Sequence, residues 1–272
     1  MENFRAKKSL GQNFLTSQEI VSHIIDAADP AADDIVVEVG PGKGVLTRPL
    51  LKLAGKVIAI EKDRRLIEPL EQQFSKEIND GKLDLIEKDI LEFDVSALEF
   101  YELDYKVVAN IPYYITGQIL RTFLTAKKKP ELMVVMVQKE VAERIVARDE
   151  KESLLSLSVK IYGTPRIARI VPSHFFKPTP KVDSAILVIE NISNNFFESL
   201  GTVSEKKFFG LLHAAFSSKR KKLVGNIVNG GFGNRTKIEE IFHHVGIDIN
   251  ARPENVAVGQ WFALAQKLFS TV

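Results

Sequence analysis

The chain has 272 residues, 45% hydrophobic and 26% charged, the make-up of a soluble protein with one large domain or one large and one small. It contains no cysteine, which excludes disulfides and thiolate metal sites. Its five histidines (His23, His174, His213, His243 and His244) lack metal-ligand spacing, so no metal is expected. The N-terminus has no apolar signal core and no stretch approaches the roughly 18 apolar residues of a membrane span, so a cytoplasmic protein without a membrane partner is expected.

Thr16-Ser17-Gln18-Glu19 has the spacing of a capping box before a helix with Ile20, Val21, Ile24, Ile25 and Ala28 on one side, stopped by Asp29-Pro30. The apolar run Ile35–Val39 predicts a strand entering Gly40-Pro41-Gly42-Lys43-Gly44, and a helix with Val45, Leu46, Leu50, Leu51 and Leu53 follows. Val57–Ile60 is a second strand, closed by Glu61-Lys62-Asp63, and Leu66, Ile67, Leu70 and Phe74 mark the next helix. Further strands are predicted at Leu83–Ile86, leading to Asp89, at Lys106–Asn110 and at Leu132–Val137. Strands alternating with helices at this rhythm predict an α/β domain around a parallel sheet.

One helix is predicted from Gln138 to about residue 159. Arg166–Val171 and Ser184–Glu190 are then joined by a proline-rich link without a crossover helix, so they should pair antiparallel at the sheet edge. Asn191–Ser204, rich in Asn and Ser, reads as a link between a domain of residues 1–192 and a helical one of 193–272. Helical signals follow around Phe208–Leu212, Ile238–Val245 and Trp261–Phe269, with a glycine-rich break at Asn229–Gly233. From Ser193 onward ten basic residues face six acidic ones, a net +4 that leaves −2 for the rest of a chain whose total is +2. That asymmetry suits a polyanion-facing appendage, although a solvated basic face would look the same.

Gly40-x-Gly42-x-Gly44 is one residue short of the dinucleotide fingerprint, and Pro41 removes a backbone donor that a pyrophosphate would need. What remains is a loop that a ligand can approach closely. Glu61, at the next strand end, stands where a ribose diol is gripped, and Asp89, at the third, could accept from an adenine amine. Ribose and adenine without a phosphate cradle point to S-adenosylmethionine. Asn110-Ile111-Pro112-Tyr113-Tyr114 ends a fourth buried strand. It couples an amide oxygen to a flat ring on a proline-stiffened turn, an arrangement that suits a planar base with an exocyclic amine.

Taken together, the chain resembles the small-subunit ribosomal RNA adenine dimethyltransferases, the KsgA family, almost end to end. The motifs that carry the likeness are Lys8-Ser-Leu-Gly-Gln-Asn-Phe-Leu15, Glu38-Val-Gly-Pro-Gly-Lys-Gly44, Glu61-Lys-Asp63, Asp89, Asn110-Ile-Pro-Tyr113, Met136-Val-Gln-Lys-Glu-Val-Ala-Glu-Arg144, Phe176-Lys-Pro-Thr-Pro-Lys-Val-Asp-Ser184 and His213-Ala-Ala-Phe-Ser-Ser-Lys-Arg-Lys-Lys222. It is their ordered set that is specific. Ile111, where Leu is commoner, is the one departure. The resemblance implies a class I, Rossmann-like, S-adenosylmethionine-dependent methyltransferase sheet plus a small all-helical C-terminal domain. It also implies dimethylation of N6 on two adjacent adenines near the 3′ end of small-subunit rRNA, within a pre-30S or 30S particle.

Position by position, the resemblance implies that Asn13 and Leu15 close over the methionine end of the cofactor. Gly40 and Gly42 give it backbone approach, Glu61 holds the ribose and Asp89 the adenine, with Asn110 between cofactor and acceptor. Asn110 and Ile111 would accept from N6, Pro112 would stiffen the turn, and Tyr113 and Phe176 would sandwich the extruded base. Lys219, Arg220, Lys221 and Lys222 would meet RNA phosphates, with Lys127–Lys129 and Arg5, Lys7 and Lys8 as further candidates. Nothing asks for an obligate oligomer, so a monomer is expected. The alternatives are a large-subunit adenine dimethyltransferase of the antibiotic-resistance type and a non-catalytic ribosome-assembly factor.

Overall fold

A computed structural model describes residues 7, 11–96, 104–218 and 220–269. A two-residue strand, β1 (Phe14–Leu15), leads into α1 (Gln18–Ala28). The cap of that helix is Ser17, whose hydroxyl accepts from Ile20 N–H at 3.3 Å, one residue later than the capping-box spacing suggests. Thr16 is engaged elsewhere, its N–H and hydroxyl both donating to the Phe175 carbonyl at 2.9 Å.

The alternation continues through β2 (Ile35–Val39), α2 (Thr47–Leu53), β3 (Lys56–Glu61), α3 (Arg64–Gln73), α4 (Ser75–Asn79), β4 (Leu83–Glu87), β5 (Tyr105–Asn110), α5 (Thr116–Leu124) and β6 (Leu132–Gln138). Where one helix is predicted from residue 138 to 159 there are two, α6 (Lys139–Val146) and α7 (Leu154–Lys160). Ala147 and Glu150 take left-handed backbone between them, and Ser153 opens α7 with a capping box shared with Ser156. Next come β7 (Thr164–Val171), β8 (Phe176–Lys177) and β9 (Ser184–Glu190). The helices of the remainder are α8 (Asn195–Leu200), inside the expected link, α9 (Glu205–Ala215), α10 (Leu223–Asn229), α11 (Arg235–Val245) and α12 (Val258–Phe269).

Seven strands form one sheet in the order β4-β3-β2-β5-β6-β9-β7. The first five are parallel, and β9 runs antiparallel to both β6 and β7, as the proline-rich link predicts. All five residues of β2 are buried because β3 and β5 flank it and helices cover both faces, which is why it reads as a nearly continuous apolar run. The chain runs outward from β2 through β3 to β4, then returns to β5 on the other side. Val39 pairs with Ile60 on one side and Ala109 on the other, so Gly40 and Asn110 leave the sheet side by side at the point where strand order reverses. In open α/β sheets that carboxyl edge is where ligands bind. Separately, β1 and β8 form a short antiparallel ribbon that sets Leu15 against Phe176.

The chain divides into two compact units, residues 1–142 with 164–192, and residues 143–163 with 193–272. Residues 143–163 thus group with the C-terminal helices and not with the sheet. Within the second unit the Tyr162 hydroxyl donates to Glu205 at 2.5 Å and Glu152 N–H to the Glu254 carbonyl at 2.8 Å. Phe208 packs edge-on against Phe196 and Phe197, with centroids 5.0 and 5.8 Å away. Buried Asn226 donates to the carbonyls of Ala215 and Ser218, at 2.6 and 3.0 Å, and so ties down the turn that carries the basic cluster.

Candidate active site

A cleft enclosing roughly 1110 Å³, mouth included, opens at the switch point and is lined by the ends of β2, β3 and β5, the turn after β4, and residues 11–15. The glycine loop at its base needs its glycines. All three have left-handed φ, and a Cβ on Gly44 would stand 2.6 Å from the Phe74 ring. A Cβ on Gly40 would meet only the Asn110 carbonyl, at 3.7 Å, so the backbone there faces open space.

Glu61, at the end of β3, is buried, and its two oxygens accept from Gly42 N–H at 3.1 Å and Asp63 N–H at 2.8 Å. Burial raises its pKa, with those amides pulling the other way. Each carboxylate oxygen can accept a further hydrogen bond, and Glu61 lines the cleft. Asp63 accepts from Arg65 at 2.6 Å and from the Gln12 amide at 2.8 Å, and these partners, Arg65 chiefly, hold its carboxyl down to about 2. Gln12 thereby anchors the N-terminal segment to the end of β3, a tie that the sequence does not reveal. Asp89 accepts from Leu91 N–H at 3.1 Å and from Lys62. Burial pushes its pKa up, but Lys62 and the amide outweigh it and the net direction is down. The Lys62 side chain is half in water, so the pair is worth at most about 1 kcal/mol and can yield to a ligand amine.

Asn110 lines the cleft, and its Nδ2 donates to the Asn13 carbonyl at 3.4 Å, which leaves Oδ1 available as an acceptor. Asn13 in turn donates its side-chain amide to Gly11. Leu15 is buried in the core and also lines the cleft. The half-buried Tyr113 ring is pinned by a 2.6 Å hydrogen bond between its hydroxyl and Ser184, and burial raises its pKa. Ile111 and Pro112 complete the wall.

The expected pairing of Tyr113 with Phe176 needs correction. Phe176 is 2% exposed and belongs to the core with Leu15 and Ile24, and it does not line the cleft. The ribbon is the cause: opposite Leu15, position 176 faces inward and Lys177 outward. Of the basic residues, Arg220, Lys221 and Lys222 are exposed on the turn before α10, and Lys222 reaches Asn250 at 2.5 Å. Lys219, Arg5 and Lys8 lie outside the described residues. Among those described, no cluster of three potential metal ligands occurs.

Glu38, next to last in β2, stands out in the sequence only as a residue leading into the glycine loop. Burial pushes its carboxyl up to about 8, and Thr47 offsets part of that without a hydrogen bond of ordinary geometry to either oxygen. In the unfolded chain the group sits at 4.5, so between 4.5 and about 8 the folded state holds a proton that the unfolded state has lost. Stability contributed below 4.5 is therefore lost as pH rises through that window, by about 1.4 kcal/mol per unit. Glu38→Gln cannot ionise and should melt at or above the wild type at pH 8, the gap closing toward pH 5. Parallel melting profiles from pH 5 to 9 would contradict this.

The donor set suits S-adenosylmethionine. Carboxylates stand at the end of β3 and on the turn after β4, and the glycine loop leaves backbone open to a ligand.

Residues 3–269 match the family described as ribosomal RNA adenine dimethylase. A ribosomal RNA small subunit methyltransferase A from Dehalococcoides mccartyi is 44% identical over 257 residues, covering 94% of this chain and 86% of that protein. Among solved structures, a dimethyladenosine transferase from Plasmodium falciparum is 27% identical, with a TM-score of 0.77 over 92% of this chain and 95% of that one. A 23S rRNA methyltransferase, ErmE, shares the fold at 24% identity, with a TM-score of 0.73 over 94% of this chain and 99% of that one.

Proposed function

The chain belongs to the ribosomal RNA adenine dimethylase family and is an S-adenosylmethionine-dependent methyltransferase of small-subunit rRNA, and we propose that its acceptors are two adjacent adenines near the 3′ end of that RNA, each methylated twice on N6. On this reading it works as a monomer in the cytoplasm, on a pre-30S or 30S particle, and contributes to small-subunit biogenesis. The observation that carries the reading is the Asn110 amide, which lines the cleft beside the glycine loop and is held there by the bond from Nδ2 to the Asn13 carbonyl.

The cofactor supplies an electrophilic methyl on a sulfonium centre. Glu61 and Asp89 would hold its ribose and adenine, and Gly40 and Gly42 would let it lie against the backbone. Asn110 Oδ1 and the Ile111 carbonyl would accept the N6 hydrogens, which would draw the amine lone pair out of ring conjugation and aim it. The cofactor would supply one methyl group at each transfer, and the amine would give up one proton to solvent. One N–H remains after the first transfer, so the same acceptors serve the second. Positioning and fixed dipoles provide the acceleration, without a strong base. Extruding the adenine costs a few kcal/mol, which stacking on Tyr113 offsets in part.

Arg220, Lys221 and Lys222, with Lys219, give affinity through phosphates without reading sequence. Neutralising the three described residues should flatten the salt dependence of binding to 30S particles, by about 0.7–0.9 in log–log slope for each phosphate no longer neutralised. An unchanged slope would remove the cluster from the interface. The activity itself is tested by methyl incorporation into 30S and 50S particles lacking the modification. Labelling of 30S alone is expected; labelling of 50S alone would place the enzyme with the large-subunit type, and labelling of neither would leave a binding factor.

A further inference from the structure

With Phe176 in the core, the exposed ring at the cleft mouth is Tyr114. It is 62% exposed, lines the cleft, and follows directly on Tyr113. The ring lies against its own chain at Gly11: a Cβ built there would stand 3.2 Å from Cε1 and 3.3 Å from Cδ1. Gly11 has φ +60, so the glycine meets two demands, a left-handed backbone and room for the ring. No protein hydrogen bond to the hydroxyl occurs among the described residues. Leu91, 39% exposed, shares this mouth, as do Lys62 and Lys88. A largely exposed ring held against the chain at Gly11, in a cleft that Lys62 and Lys88 also line, has the make-up of a stacking platform for a single-stranded nucleotide.

We propose that Tyr114, packed on Gly11 at the cleft mouth, is the stacking platform for the nucleotide next to the extruded adenine. The proposal rests on the RNA-methylating reading above and extends it to the neighbouring base. Tyr113 and Asn110 face the base undergoing transfer, while Tyr114 holds the strand's next base in line. With two adjacent adenines as acceptors, the platform holds one while the other is methylated. Tyr114 is a positioning residue, touching neither the methyl group nor N6.

The test compares wild type, Tyr114→Phe and Tyr114→Ser on 30S particles lacking the modification. KM and kcat are measured for the particle, and Kd for S-adenosylmethionine by calorimetry. Loss of one stacked base should raise the particle KM of Tyr114→Ser roughly 5-fold to 150-fold. Cofactor Kd and melting temperature should stay at wild-type values, and Tyr114→Phe should keep the wild-type KM. With a 2-aminopurine placed beside the target adenine in a short RNA, the wild type and Tyr114→Phe should quench its fluorescence and Tyr114→Ser should not. An unchanged KM and unchanged quenching in Tyr114→Ser overturn the proposal. A weakened cofactor Kd with an unchanged particle KM also overturns it, by assigning the ring to the cofactor. If wild type itself fails to methylate 30S, the underlying reading fails, a result distinct from failure of the platform alone.

Discussion

Asn110→Ala should bring methyl transfer to the edge of detection while the protein still folds and still binds S-adenosylmethionine. The side chain lines the cleft and makes one hydrogen bond to protein, from Nδ2 to the Asn13 carbonyl, which leaves Oδ1 available as an acceptor. Removing a fixed acceptor at a reacting centre typically costs about 10²–10³-fold in kcat. Cofactor binding should weaken by no more than about tenfold, the worth of one neutral hydrogen bond. Single-turnover methyl transfer beside a calorimetric Kd separates the two effects. Near-normal turnover would remove Asn110 from the mechanism.

The second large effect is expected at Glu61, through the cofactor rather than the acceptor. Glu61→Ala removes the acceptor expected to hold the ribose hydroxyls and leaves the N–H groups of Gly42 and Asp63 without their partner. Hydrogen bonds to a charged group are worth about 1.5–3 kcal/mol each, so losing the two to a ribose hydroxyl pair should lower affinity roughly 10²-fold to 10⁴-fold. The loop itself should loosen, and the melting temperature should fall even without ligand. Glu61→Gln keeps one acceptor oxygen and should lie between the two. A Glu61→Ala protein that binds S-adenosylmethionine as the wild type does would move the ribose site elsewhere.

The strands that place these residues are readable in sequence because buried parallel strands are short apolar runs, and a carboxylate or amide that ends such a run stands out. Gly40, Glu61, Asp89 and Asn110 are legible in this way, and the structure gathers all four in one cleft. What the sequence conceals depends on pairings between distant segments. Phe175 and Phe176 are neighbours of the same type, and which of them faces the core depends on pairing with Leu15, some 160 residues earlier in the chain. The same ribbon draws Thr16 away from the helix cap and leaves that role to Ser17. Lys62 pairing with Asp89, and Gln12 with Asp63, join segments 27 and 51 residues apart, and no local pattern marks them. Tyr114 shows the same limit, since its seat on Gly11 is visible only once the N-terminal segment is placed beside the β5 turn.

The most direct measurement is mass spectrometry of small-subunit rRNA from cells with and without this protein. The account predicts N6,N6-dimethyladenine at two neighbouring positions near the 3′ end when the protein is present, and unmodified adenine at both when it is absent. Identical spectra from the two strains, or a change confined to large-subunit rRNA, would contradict it.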